Sequence, residues 1–209
     1  MGNQESKYAD EIENREDGPI SDEQMNEFIE NTQFNPKDIQ QLLLAYRKIG
    51  GSISGDGLIS EEEFKKNIKF SNDKIADKIY RMIDVDGDRN IQFSEFVYGL
   101  NIFMPGSDFE TKIQKCFNAY DEDGSGGISK NEILEIIGMS LDGNHFINMD
   151  MPHLIHLVDE LFELCDSSGD EEGNMSLVDF KKMVKEAPGI LDVFAFDLSM
   201  LPAFNEMKN

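Results

Sequence analysis

The chain is poor in cations: 19 lysines and arginines stand against 42 aspartates and glutamates, for a formal net charge of -23 over 209 residues. A phosphate backbone would be repelled, which argues against nucleic acid as a partner. Cysteine is scarcer still. Cys116 and Cys165 are too few for a disulfide framework. No secretory signal opens the sequence, so a reducing cytosol is the expected compartment. No apolar run approaches the eighteen or so residues of a membrane-spanning helix, which leaves only peripheral contact with a bilayer. A nucleophile–base pair and a phosphate-binding glycine motif are also missing, so catalysis is not expected. What remains is acid together with apolar mass. The chain is 39% hydrophobic, with 15 Phe and 11 Met, and that composition builds a core instead of a disordered tail. The length suits one large or two small domains.

The acid is concentrated in loops between helical patterns. Asp121 to Glu132 reads DEDGSGGISKNE, twelve residues that supply the six to eight oxygens a hard divalent cation such as calcium takes. Asp121, Asp123 and Ser125 hold the first, third and fifth positions, Gly127 offers its carbonyl at the seventh, and Ser129 stands at the ninth. Glu132 at the twelfth is long enough to close the shell with both carboxylate oxygens. Gly126 at the sixth makes the sharp turn that needs positive φ. Ile128 at the eighth points away from the ion, toward a sister loop.

The same plan recurs three more times. DVDGDRNIQFSE places Asp84, Asp86 and Asp88 at positions one, three and five, the Asn90 carbonyl at seven, Gln92 at nine and Glu95 at twelve. Arg89 occupies the glycine position, where a side chain costs on the order of 1 kcal/mol in the left-handed region and sets a cation beside the ion. Binding weaker than a glycine version is expected. An earlier stretch, GGSISGDGLISEEEF, has its ligands eroded. Counting from Ile59 as the eighth position starts this loop at Ser52 and ends it at Glu63; counting from Tyr46 and Ile49 starts it at Gly50. Either way one acid precedes Glu63, and a structural loop is expected, with carbonyl-only binding as the alternative. The last loop runs Asp166 to Asp179 and is two residues too long. Asp166, Ser168 and Asp170 are weaker metal candidates, and Asp179 replaces the long closing glutamate. A structural or magnesium-tolerant loop is expected there.

The intervening segments are helical by period. Residues 20–34 carry Ile20, Met25, Phe28 and Ile29, and Asn35-Pro36-Lys37-Asp38 reads as a cap, a first-turn proline and an acid. Ile39, Leu42, Leu43, Tyr46 and Ile49 follow as a core face, and Ser60 with Glu63 makes a capping box. Pro105-Gly106 breaks the chain between two lobes. His153 and His156 lie on one helix without a third ligand nearby, so a solvated or capping role is expected. The expected fold is all-α: an acidic segment at 1–19, a lobe of two helix-loop-helix units at 20–104, a second at 105–187, and an apolar C-terminal helix at 188–209. That last segment, with Ile190, Leu191, Val193, Phe194, Phe196 and Leu198, either completes the second core or lies as a detachable plug in a groove.

The opening MGNQES fits the N-myristoylation pattern on Gly2, with a chance match as the alternative. One acyl chain without a basic patch gives only reversible membrane contact. Free or acetylated Gly2 in a mass spectrum of the native N-terminus would end the lipid reading.

Across residues 20 to 200 or so the chain resembles four-EF-hand calcium sensors of the neuronal calcium sensor and calcineurin B groups. Three longer stretches, QFNPKDIQQLLLAYRKIGG, EFVYGLNIFMPGSDFETKIQKCFNAYDEDGSGGISKNE and ILDVFAFDLSMLP, resemble calaxin-type sensors of ciliary outer dynein arms. The resemblance implies calcium ligands at Asp121, Asp123, Ser125, Gly127 and Glu132, and at Asp84, Asp86, Asp88, Asn90 and Glu95. It also implies a ciliary location, beside the cytosolic and peripheral-membrane expectations given above. The expected partner is an amphipathic helix of a target protein, a dynein arm component or a signalling enzyme. A calcium buffer and a constitutively docked structural subunit are the rival readings.

Overall fold

Short caps mark where the helices begin. In the computed structural model, which describes residues 20–50, 56–68, 70, 72–104, 106–142, 150–165, 173–186, 191 and 201, Ser21 opens α1 (Asp22–Asn31) with a reciprocal capping box. Its hydroxyl accepts from the Gln24 amide at 3.2 Å, and the Gln24 side chain accepts from the Ser21 amide at 3.1 Å. Asn35 caps α2 (Pro36–Gly50), its side-chain oxygen accepting from the Lys37 and Asp38 amides at 2.9 and 3.1 Å. Asp150 does the same for the His153 amide at 3.1 Å, and exposed His153 rests its ring on that carboxylate.

Among the described residues, seven further helices complete four helix-loop-helix pairs: α2 with α3 (Glu61–Asn67), α4 (Asp73–Ile83) with α5 (Phe93–Asn101), α6 (Phe109–Tyr120) with α7 (Lys130–Asp142), and α8 (Met151–Cys165) with α9 (Leu177–Glu186). None of them is long and apolar enough to cross a membrane. The two-residue strands β1 (Ile59–Ser60) and β2 (Asn90–Ile91) pair antiparallel, with Ile59 opposite Ile91. Ile128 and Met175 form an isolated antiparallel bridge, exchanging amide-to-carbonyl bonds of 2.8 and 2.7 Å. The loops therefore meet in pairs through their apolar eighth positions.

The packing divides the chain into two compact units, and it does not follow the lobe limits read from the repeats. Described residues of Met1–Lys69 and Ile83–Ser107, with Leu201, form one unit; those of Phe70–Met82 and Asp108–Ala195 form the other. Most of α4 thus groups with the second half. The physical reason lies in its charged side: buried Lys78 donates to the Ala119 carbonyl at 3.2 Å and to Glu122 at 2.9 Å, and Lys74 pairs with Glu135. Helical periodicity cannot show which neighbour a continuous helix chooses.

In the first unit Ile39, Leu42, Ala45, Tyr46 and Ile49 of α2 are fully buried. Rings of Tyr46 and Phe93 meet edge-on at 5.3 Å, and the Tyr46 hydroxyl donates to the Ile91 carbonyl at 2.8 Å, tying the core to the loop bridge. In the second unit Ile113, Cys116, Phe117 and Tyr120 pack with Phe180, Met183 and Val184, the Phe117 and Phe180 rings 5.8 Å apart. The expected apolar C-terminal helix lies outside the described residues, apart from buried Leu191 and Leu201. Gly2 lies outside them as well.

Gly50 closes α2 where the first loop folds back. A Cβ there would stand 2.5 Å from the Leu58 carbonyl oxygen, whereas one on Gly138 in α7 would meet nothing within 4 Å. Gly50→Ala is therefore expected to destabilise by about 1–3 kcal/mol. Gly138→Ala should stabilise by about 0.5–1 kcal/mol through helix propensity. Denaturant midpoints of the two variants check the opposite signs.

Candidate metal centres

The third loop gathers its acids without any side chain leaving the local fold. Carboxylate oxygens of Asp121, Asp123 and Glu132 lie within 4.8 Å of one another. Backbone donors hold them there. The Ser125 amide donates to Asp121 and Asp123, each at 2.9 Å, and the Gly126 amide to Asp121 at 3.0 Å. Gly126 has φ +87°, the left-handed turn that aims these amides inward. Glu132, three residues into its repeat's outgoing segment, accepts from the Ser129 amide and hydroxyl at 2.7 and 2.8 Å with one oxygen, and from the Glu122 amide at 2.7 Å with the other. The Ser125 hydroxyl donates to the Gly127 carbonyl at 2.9 Å, so two expected ligands already sit side by side. Ser125, through its hydroxyl and then its amide, holds the Asp123 carboxyl below its ordinary range.

The second loop repeats the arrangement with one strained residue. Carboxylates of Asp84, Asp86 and Asp88 lie within 4.8 Å of one another. Glu95 accepts from the Val85 and Asp86 amides at 2.9 and 3.3 Å and from Gln92 at 3.0 Å. Arg89 has φ +68°, the only positive φ outside glycine among the described residues, and its amide donates to Asp84 at 3.1 Å. The backbone thus does at Arg89 what Gly126 does in the third loop. Burial raises the Asp84 carboxyl above its ordinary range, and Glu95 and Asp88 push the same way against the Gly87 and Arg89 amides. Three acids this close repel one another, and a divalent cation is the chemistry that relieves them.

The first and fourth loops share a second pattern. Buried Tyr46 and Ile49 of α2 end their core face as Phe117 and Tyr120 do in α6, which would start the first loop at Gly50. The Ile59–Ile91 pairing and the turn at Gly57, φ +86°, instead fit a twelve-residue count back to Ser52. Both counts hold: the loop carries two surplus residues. In the fourth loop, buried Phe162 and Cys165 set the start at Asp166, while Gly173, φ +67°, and the Met175 bridge set the second half in register with the third loop. The Leu58 carbonyl lies against Gly50. Fully buried Asp179 accepts from the Ser176 hydroxyl at 2.6 Å and lies 3.3 Å from the Lys182 ammonium. Asp166, Ser168 and Asp170 lie outside the described residues.

Sequence reasoning missed Lys78. Its ammonium grips Glu122, whose amide in turn holds Glu132, so a residue of α4 stands behind the third loop. No local pattern marks that role.

Helix-loop-helix units paired through β-bridges, with carboxylates at fixed loop positions, define an EF-hand calcium-binding protein. A family model for an EF-hand domain pair matches residues 110–185. Type 2 calcineurin B of Mus musculus, by name a calcineurin subunit, is 30% identical over 152 residues, covering 73% of this chain and 80% of its own length. The calcineurin B of Naegleria gruberi is 29% identical over 160 residues, 77% of this chain and 86% of its own. Guanylyl cyclase-activating protein 2 of Lithobates pipiens is 30% identical over 162 residues, 73% of this chain and 81% of its own. The chain belongs to the EF-hand family of calcineurin B and neuronal calcium sensor proteins. It is a calcium-binding regulatory protein, not an enzyme.

Two expectations follow. Arg89→Gly should tighten calcium in the second loop by about 1 kcal/mol, roughly fivefold, by removing both strain and a cation; site-resolved NMR titration reads it. Protons compete with calcium for carboxylates, and the raised Asp84 carboxyl takes a proton at higher pH than the lowered Asp123. On acidification the second loop should therefore release calcium before the third, read from the Gly87 and Gly126 amide signals.

Proposed function

We propose that this EF-hand protein is a calcium sensor whose second and third loops carry the signal to an amphipathic helix of a target protein. The observation that carries the reading is the convergence of Asp121, Asp123 and Glu132, and of Asp84, Asp86 and Asp88, each set within 4.8 Å. Calcium would be held by Asp121, Asp123, Ser125, the Gly127 carbonyl and Glu132, and by Asp84, Asp86, Asp88, the Asn90 carbonyl and Glu95. The fourth loop, with Asp166, Ser168, Asp170 and Asp179, is assigned a weaker, magnesium-tolerant role, since a shorter acid closes it.

The mechanism follows from the closing glutamates. Glu95 and Glu132 each commit one oxygen to amides at the far side of their loop. Those oxygens would hold the ion, and each glutamate lies in the first turn of an outgoing helix. Reorientation of α5 and α7 then opens apolar surface for the target.

A calaxin-like role on a ciliary dynein arm is supported by the three long stretches quoted above. The names of the relatives, a calcineurin subunit and a guanylyl cyclase-activating protein, support a signalling enzyme as the target. The first of those names also favours a second reading, a constitutively bound regulatory subunit. Reversible membrane contact through an acylated Gly2 completes the proposal, with a cytoplasmic or axonemal location.

Calcium should raise the fluorescence of a hydrophobic dye on the purified chain. Unchanged emission from chelator to saturating calcium would leave a buffer. A target captured from ciliary extract only with calcium supports the sensor, and one retained in chelator supports the structural subunit.

A further inference from the structure

The third loop is held from outside its own repeat. Lys78 lies on α4, the incoming helix of the second repeat, and is only 5% exposed. Burying an ammonium this deeply is costly unless acceptors meet it. Its acceptors both belong to the third repeat: the Ala119 carbonyl at 3.2 Å and the Glu122 carboxylate at 2.9 Å. Ala119 is in the last turn of α6, where the final carbonyls of a helix have no partner within it. Glu122 is the second residue of the loop, a position that supplies no ligand, and its amide donates to Glu132 at 2.7 Å. One ammonium therefore joins the end of the incoming helix to the loop's second residue, and that residue holds the closing glutamate.

The same helix also reaches the loop's exit. Lys74, one turn before Lys78, pairs with Glu135, which stands three residues after Glu132 on α7. Lys74 is exposed, so this pair contributes little alone. A pocket of about 170 Å³ lies among Lys74, Asp77, Lys78, Arg81, Glu122 and Glu135. On this side α4 meets the loop through charged ends around an open space, and Lys78 is the buried one among them.

We infer that Lys78 is a positioning residue for the third calcium site: by fixing Ala119 and Glu122 it sets the entrance of the loop and the place of Glu132 before an ion arrives. The inference rests on the third loop being a calcium site, and it assigns part of that site's affinity to a helix of another repeat. Groups standing behind metal ligands orient them and tune affinity, because a site already arranged loses less freedom on binding. Position and charge act here with opposite signs. A cation beside an acidic loop repels calcium, so a lysine acting only through its charge would, on removal, leave a tighter site. A lysine acting through position leaves a weaker one, although the chain has become more negative. Glu122 is half-exposed and stays solvated when its partner is lost.

Lys78→Met keeps the buried stem and removes the ammonium. Calcium at the third loop, followed by the Gly126 amide, should weaken by about tenfold, the worth of a hydrogen bond to a charged group. The second loop, followed by the Gly87 amide, should keep its affinity. In chelator, hydrogen exchange at the Glu122 amide should speed up in the same variant. Glu122→Ala removes the same tie, so the two losses should not add. A purely structural lysine would lower the denaturant midpoint and leave the third loop's affinity as it is. Tighter or unchanged calcium there in folded Lys78→Met overturns the inference, as does full additivity with Glu122→Ala. If Lys78→Met does not fold, Lys78→Gln makes the same change of charge with a polar end that can still donate to Ala119; weaker calcium at the third loop then supports the inference, and tighter or unchanged calcium overturns it. Should the Gly126 amide of the unsubstituted chain ignore calcium, the site reading fails together with the inference; if it responds and the variants match it, only the inference falls.

Discussion

The pairing of loops through their eighth residues is the constraint on which the rest of the structure depends. Ile59 meets Ile91, and Ile128 meets Met175. Each bridge fixes the second half of two loops at once, from the left-handed turn at position six to the closing acid. With those halves fixed, any surplus of chain must be absorbed earlier. The second and third loops have no surplus, and their acids converge. Each bridge thus joins a loop of regular count to one whose two counts disagree.

The closing acid stands at the end of each half-loop that a bridge fixes. In the second and third loops a glutamate at the start of an outgoing helix is held by amides across the loop. In the first loop Glu63 is fully buried and bonded to the Ser60 amide at 3.0 Å and hydroxyl at 2.8 Å. In the fourth, Asp179 is buried beside Lys182.

Much of this is legible in the residues. The core face of α2, the caps at Asn35 and Ser60, and the left-handed turn at Gly126 follow from spacing and residue type alone. The two competing starts of the first loop are also visible, though the bridge is needed to show that both are true. What stays hidden depends on contacts distant in sequence. Helical period gives α4 a buried face but not the half of the chain it packs with, and nothing near Lys78 sets it apart from a solvated cation. The seat of Phe28 on Phe93 and Tyr98 joins residues some 70 apart, which no local pattern records. The tail after Glu186 reads as a helix or plug, and all but Leu191 and Leu201 of it lies outside the described residues.

Titration calorimetry of the metal-stripped, folded chain tests the central claim most directly. The account gives two calcium ions bound with micromolar or tighter affinity, one lost in Glu95→Gln and the other in Glu132→Gln. A silent titration, or tight binding that survives both substitutions together, would contradict it.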